Sequence, residues 1–283
     1  MKRNYVFLGF LLIMVSLLSC TNETINKEPL DNNKTIAIKE VKSELYVLNA
    51  SYKGSFSSQK RMPKWLRWLI FAAADAAGGV GGGVGGACAA STLAWNVTKD
   101  ELKQDTGVQP DTTHHAQAIK SNSLEGLELG SAGYIHNSVI SSVYYEYNDL
   151  SGMSTEEIIN IVFNELESQT GVEMPASKKL ELASYALSII DSFDASKTVE
   201  EFFNDLIEQT ANPTQKETLE ICGMILDGLQ YVDDSDTSYV DTATTIIVNS
   251  NLDSELKATL VDVISVANAS AKLWNTDGIV IVP

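Results

Sequence analysis

Apolar residues recur at helical spacing through the C-terminal half of the chain. Two sequences of the form Ser/Thr-x-x-Glu, beginning at Ser154 and Thr198, precede such apolar runs and are typical of helix starts. Pro175 and Pro213 mark two further starts. The pattern predicts helices over about 131–147, 154–166, 175–193, 198–207, 213–229, 237–248 and 254–274. We therefore expect a mainly α fold in which residues 131–283 form an acidic, antiparallel helical bundle, ending in a strand-like or apolar tail at 278–282.

The N-terminus has a different pattern. Lys2 and Arg3 precede an uninterrupted run of apolar or small residues, 5–18, and the run ends at Ser19-Cys20. These are the parts of a secretory signal peptide, and the run is shorter than the roughly 20 residues of a membrane-spanning helix. Residues 1–19 are therefore predicted to be a cleaved signal peptide.

The residues 17–20, Leu-Leu-Ser-Cys, resemble the lipobox of bacterial lipoproteins. The resemblance implies that the Cys20 thiol carries a diacylglycerol, with acyl chains such as palmitate, and becomes the new N-terminus. It places the protein in the bacterial cell envelope, at the outer membrane, and leaves the periplasmic and extracellular faces open. The wider chain is similar to uncharacterised lipoproteins of Bacteroidota, a similarity that implies no activity, cofactor or metal site.

Composition predicts a tether and excludes one class of partner. Residues 20–59 are mostly polar, which is typical of a disordered tether after a lipidated cysteine. The chain without its signal peptide has 18 basic and 37 acidic residues, a formal charge of −19. We expect so acidic a protein to be repelled by nucleic acid and by anionic lipid surfaces.

Residues 60–97 reverse the sign of the charge and are rich in glycine. They begin with four basic residues between 60 and 67 that alternate with Trp65 and Trp68, a combination suited to a membrane interface. A run from Ala76 to Val97 without charged residues follows. Within it Gly78, Gly82 and Gly86 recur every four residues, and Trp95 lies near its end. On a helix this row forms a groove into which another backbone or a membrane partner fits.

Three interpretations of this segment remain open. The first is a tightly packed helical hairpin or a flexible linker inside a soluble fold. The second is a membrane-inserting element, because the segment resembles the glycine-zipper stretches of small bacteriocins. The third is a phosphate-binding loop, which lacks support because no β-strand precedes Gly81 and no Lys-Ser/Thr pair follows the glycines.

The remaining candidates for chemistry are few. Glycines and prolines make residues 98–130 a predicted loop-rich connector containing the pair His114-His115, which we interpret as a solvated loop. His136-Asn137 lies in a predicted helix near Tyr144, Tyr145 and Tyr147, either in a ligand groove or in the core. Cys88 and Cys222 either pair or stay separate thiols. Neither metal-ligand spacing nor a nucleophile motif is recognisable, so no cofactor is expected.

The sequence favours a non-catalytic function, that of a membrane-anchored envelope lipoprotein with a binding or interaction role and a possible protein partner. The first alternative is a membrane-active, bacteriocin-like or toxin-like protein acting through residues 60–97. The second alternative is an enzyme of unknown reaction, motivated by the histidine, asparagine and tyrosines of 136–147.

Overall fold

A computed structural model describes residues 32–55, 69–106, 127–147, 150, 152–194, 197–232 and 237–274. Over these ranges the chain is helical, which confirms the mainly α prediction. The helices are α1 (Asn32–Ser55), α2 (Leu69–Thr106), α3 (Ala132–Tyr147), α4 (Thr155–Thr170), α5 (Ala176–Ser192), α6 (Val199–Gln209), α7 (Pro213–Leu229), α8 (Ser238–Asn249) and α9 (Ser254–Trp274). Cys20, Trp65, Trp68, His114-His115 and the tail 278–282 lie outside the described residues.

The helices of the C-terminal half begin where their sequences predict. Ser154 and Thr198 each accept a hydrogen bond from the backbone of the glutamate three residues on, and that glutamate bonds back to the cap. Asn212 caps α7, with Pro213 at its first position. The segment α8, whose threonines and valines are poor helix formers, is also a helix.

Residues 69–97 of α2 form the centre of the molecule. The helix breaks at Gly83 (φ 56°, ψ −153°), and the two arms, 69–82 and 84–106, fold back on each other. Phe71 contacts Trp95 near the base and Gly78 contacts Gly86 near the turn, which fixes an antiparallel register. We call Leu69–Val97 the glycine hairpin. Helices α3, α4, α5, α6, α7 and α9 all contact α2, so that both arms are buried among them.

Two of the expected boundaries are wrong. The predicted tether is the helix α1 over residues 32–55, because Ala37, Ile38, Val41 and Leu45 form an apolar stripe that packs in the core. The predicted connector 98–130 begins as helix, since α2 continues to Thr106, and residues 107–126 lie outside the described ranges.

The ends of the helices meet at two opposite ends of the bundle. Gly81, beside the hairpin turn, lies against Tyr185 of α5 and Gln215 in the first turn of α7. Helix α1 runs parallel to α7, as the pairs Lys42–Glu220 and Asn49–Met224 show. At its start, Lys34 forms an ion pair with Asp253, next to α9. Helices α1, α5, α7 and α9 therefore begin, and α4, α6 and α8 end, at the end of the molecule where the hairpin turns; we call this the turn end.

Candidate functional site

The glycine rows of the hairpin are filled by neighbouring atoms. A methyl group on Gly78 would lie 2.5 Å from the carbonyl oxygen of Gly86, because the two arms meet there backbone to backbone. Gly82 and Gly85 face Leu182 of α5, and Gly81 faces the ring of Tyr185. The hydroxyl of Tyr185 donates a hydrogen bond of 3.0 Å to the carbonyl of Ala77. These contacts support the first interpretation, a packed helical hairpin.

The one tryptophan of the segment that the structure describes lies inside the core. Trp95 is buried between Phe71 of the opposite arm and Tyr144 of α3, with ring-centroid distances of 6.2 and 6.4 Å. It does not line a surface in this conformation, so its proposed membrane contact requires the hairpin to leave the bundle.

A polar cluster ties the hairpin to two outer helices. The Asp75 Oδ2 atom, on the first arm, accepts hydrogen bonds from Ser91 of the second arm at 3.0 Å and from Ser270 of α9. The Nε2 atom of His136 on α3 lies 3.4 Å from the same oxygen. All four residues are fully buried. Because a buried carboxyl group is stabilised by hydroxyl donors such as Ser91 and Ser270, the cluster links both arms of the hairpin to α9, and His136 of α3 packs against it.

The environment of His136 favours its neutral form. Burial lowers the pKa of His136 to about 4, against the opposing effect of its hydrogen bond with Asn137. The Asn137 amide donates to the carbonyl of Ala269 at 2.9 Å, which leaves its Oδ1 atom, 3.0 Å from His136 Nδ1, as an acceptor. The hydrogen of the neutral imidazole therefore resides on Nδ1. Of the two places expected for His136, the structure shows the core.

The two described cysteines are separate buried thiols, Cys88 in the hairpin and Cys222 in α7. Burial raises the pKa of both, and the nearby charge of Asp75 raises that of Cys88 further. Reactivity requires a thiolate, so neither thiol is a nucleophile at neutral pH in this conformation. Within the described ranges no group of His, Cys, Asp and Glu has the arrangement of a metal site.

Sequence reasoning missed Asp75 as the centre of the cluster. The signal was present, because Asp75 is the only charged residue between Arg67 and Lys99. A lone acid in an apolar run indicates a buried polar contact. Its partners could not be predicted, since Ser270 and His136 come from helices far along the chain.

The hairpin also has the composition of a membrane segment. In the part of the chain that the structure describes, Leu69–Val97 alone is long and apolar enough to cross a membrane, and 83% of its most apolar window is buried. A core helix of a soluble protein meets the same criterion. Comparisons with protein-family models, curated proteins and solved structures found no match.

Proposed function

We propose that the chain is a lipid-anchored protein of the bacterial cell envelope whose helical body has a binding or interaction role. One contrast carries the proposal: the reactive side chains Asp75, His136 and Cys88 are enclosed in the core, while large apolar side chains are exposed. Tyr46 and Val47, adjacent on α1, are 70% and 65% exposed. Another molecule would therefore contact the exposed apolar side chains of the surface and not the buried polar groups.

The anchor is tested by replacing the cysteine of the lipobox. Cys20→Ser should move the protein from the membrane fraction to the soluble fraction and abolish incorporation of a labelled fatty acid. Cys222→Ala, at a buried thiol outside the lipobox, should leave both unchanged. A Cys20→Ser variant that keeps its fatty acid and its membrane association would contradict the anchor.

The interaction role is tested at the exposed apolar pair. A photo-crosslinking amino acid at position 46 or 47 should give discrete adducts in intact cells, because large exposed apolar side chains favour protein contacts. The control is position 51, an exposed serine on the same helix. Adducts that are equally abundant from position 51, or absent from all three positions, would count against the proposal.

A second candidate function, membrane activity of the hairpin, rests on its length and its central bend. Each arm has about 14 residues and spans about 21 Å, less than the roughly 30 Å of a bilayer core. If the bend at Gly83 straightened, Leu69–Val97 would form one helix of about 43 Å, long enough to cross. The contacts that fill the glycine rows stabilise the folded hairpin, so this function requires the bundle to open.

Dye release from lipid vesicles tests this alternative on the full chain. Gly83→Ala disfavours the bend, because φ of 56° with ψ of −153° is accessible almost only to glycine. A membrane-active hairpin should therefore release more dye in Gly83→Ala than in Gly79→Ala, whose added methyl makes only ordinary contact with Val263. Equal release from both variants, at the level of vesicles alone, would remove this candidate.

A further inference from the structure

We infer that the turn end of the bundle lies against the lipid headgroups of the membrane that holds the protein. The inference rests on the proposed lipid at Cys20. It concerns a property that the anchor alone does not determine, namely which surface of the body meets the bilayer.

The first argument is the length of chain between the anchor and the body. Because α1 is part of the core, only the eleven residues 21–31 separate Cys20 from the start of α1 at the turn end. Fully extended, they reach about 36–40 Å, and as a flexible coil they span about 20 Å on average. The 24 residues of α1 alone extend about 36 Å along the bundle. Turning the opposite end to the membrane would therefore require an almost fully stretched linker.

The second argument is the distribution of charge between the two ends. The charges compared are those of the five terminal residues of α1 and of α3 to α9, together with the described connections from α4 onward. The turn end has five lysines and seven carboxylates, whereas the opposite end has three lysines and nine carboxylates. The lysines of the turn end are Lys34, Lys178, Lys179, Lys216 and Lys257. An anionic membrane repels the opposite end more strongly.

The helix directions add to this asymmetry. Four helices, α1, α5, α7 and α9, begin at the turn end, and a helix N-terminus has a partial positive charge. At the opposite end the acids Glu156, Glu157, Glu200 and Glu201 occupy the first turns of α4 and α6. At the turn end the first turns of α1, α5 and α7 contain no acid, whereas the N-terminus of α9 is compensated by Glu255 and by Asp253, which accepts a hydrogen bond from the Leu256 backbone.

The third argument is the apolar side chains of the turn end. Ile36, Leu180 and Val248 lie within five residues of the ends of α1, α5 and α8, and they are 54%, 70% and 52% exposed. Aliphatic side chains with lysines close by in the chain suit the boundary between headgroups and acyl chains. With five lysines against seven carboxylates, the turn end is repelled less by anionic headgroups than the opposite end, and its aliphatic side chains add contact with lipid. Tyr145 and Tyr147 are exposed at the end of α3, beside the base of the hairpin, so linker length and charge decide which end faces the bilayer.

Fluorescence quenching of the lipidated protein on vesicles tests this orientation. One fluorophore is attached at Thr214→Cys, exposed in the first turn of α7 at the turn end, or at Thr155→Cys, exposed in the first turn of α4 at the opposite end. Cys88 and Cys222 are buried with raised pKa values, so they stay unlabelled in the folded protein. The vesicles contain phosphatidylethanolamine, phosphatidylglycerol and a lipid with a nitroxide on its headgroup.

We expect at least threefold stronger quenching from position 214 than from position 155, and a smaller ratio when phosphatidylglycerol is replaced by phosphatidylcholine. Equal quenching, or stronger quenching at 155, in protein that floats with the vesicles would overturn the orientation while leaving the anchor intact. Protein that does not float would overturn the anchor and the orientation together. A ratio unchanged by phosphatidylcholine would show that linker length alone sets the orientation and would overturn the charge argument.

Discussion

At the scale of single residues, the packing of the hairpin depends on the positions of its glycines. Gly78 and Gly86 let the two arms touch backbone to backbone, whereas Gly79 has space for a methyl group beside Val263. The same residue type therefore has two roles within eight positions. Gly78 and Gly86 allow close packing of the two arms, whereas Gly79 only lowers the helix propensity of the first arm.

This difference predicts opposite effects of the same substitution. Gly86→Ala should lower the free energy of unfolding by about 1–3 kcal/mol or more, because its methyl group would overlap the backbone of Gly78 and force the arms apart. Gly79→Ala should leave it unchanged or raise it by up to about 1 kcal/mol. Urea denaturation of both variants checks this. A Gly86→Ala variant as stable as Gly79→Ala would disprove the close approach of the arms.

A buried titratable group, His136, and a partly buried one, Asp262, are predicted to act in opposite directions on acidification. His136 has a folded pKa of about 4 against 6.5 in the unfolded chain, so the unfolded state binds its proton first and stability falls as the pH drops below 6.5. Burial raises the pKa of Asp262 from 3.8 to about 6, so the folded state binds its proton first and stability rises as the pH drops through 6.

Single substitutions should separate the two groups. Between pH 7 and pH 5, Asp262→Asn should lose roughly 1 kcal/mol more stability than the unmodified chain, and His136→Gln should lose roughly 2 kcal/mol less. Denaturant titrations at both pH values measure these differences. The same pH dependence in Asp262→Asn as in the unmodified chain would show that Asp262 is not desolvated in the fold.

At the scale of helices, the sequence pattern predicts the features that depend on residues close together in the chain. Capping boxes, prolines and apolar spacing placed the helices of the C-terminal half, since each signal lies within a few residues of the feature it determines. The stripe of α1, with Ala37, Val41 and Leu45 at helical spacing, is an equally local signal, although the polar composition of residues 20–59 predicts a tether. Amphipathic spacing is the better guide, because a helix needs only one apolar face to pack.

Other features could not be read from sequence because they depend on contacts between distant residues. Nothing local distinguishes Gly83, where the hairpin bends, from Gly81 or Gly82. The bend falls at Gly83 because the arms pack in the register that pairs Gly78 with Gly86 and Asp75 with Ser91. The partners of Asp75 on α3 and α9 likewise follow from the assembled bundle.

The role of α1 as a core helix predicts a clear difference between two of its aliphatic residues. Leu45→Ala should destabilise the protein by about 2–5 kcal/mol, since Leu45 is fully buried. Val47→Ala, two positions away and exposed, should change stability by less than about 0.5 kcal/mol. Thermal and urea unfolding of the two variants check both values. Equally small losses of stability in Leu45→Ala and Val47→Ala would instead support a disordered tether over residues 20–59.

At the scale of the whole molecule, one continuous core joins the hairpin to the helices around it. Apolar residues from α1 to α9 belong to the same buried cluster, and the Asp75 contacts cross from the hairpin to α3 and α9. A core of this kind favours a single cooperative unfolding transition. A hairpin that left the bundle to enter a membrane would instead open while the outer helices stayed folded.

The two buried thiols distinguish a single unfolding transition from separate opening of the hairpin, because Cys88 lies in the hairpin and Cys222 in the outer helix α7. In the Cys20→Ser protein, pulsed thiol labelling across a urea series should modify both at the same midpoint, since both become accessible only when the shared core unfolds. Mass spectrometry distinguishes the two sites. Labelling of Cys88 at clearly lower urea, with Cys222 still protected, would contradict the single transition. It would show that the hairpin opens separately, as the membrane-active function requires.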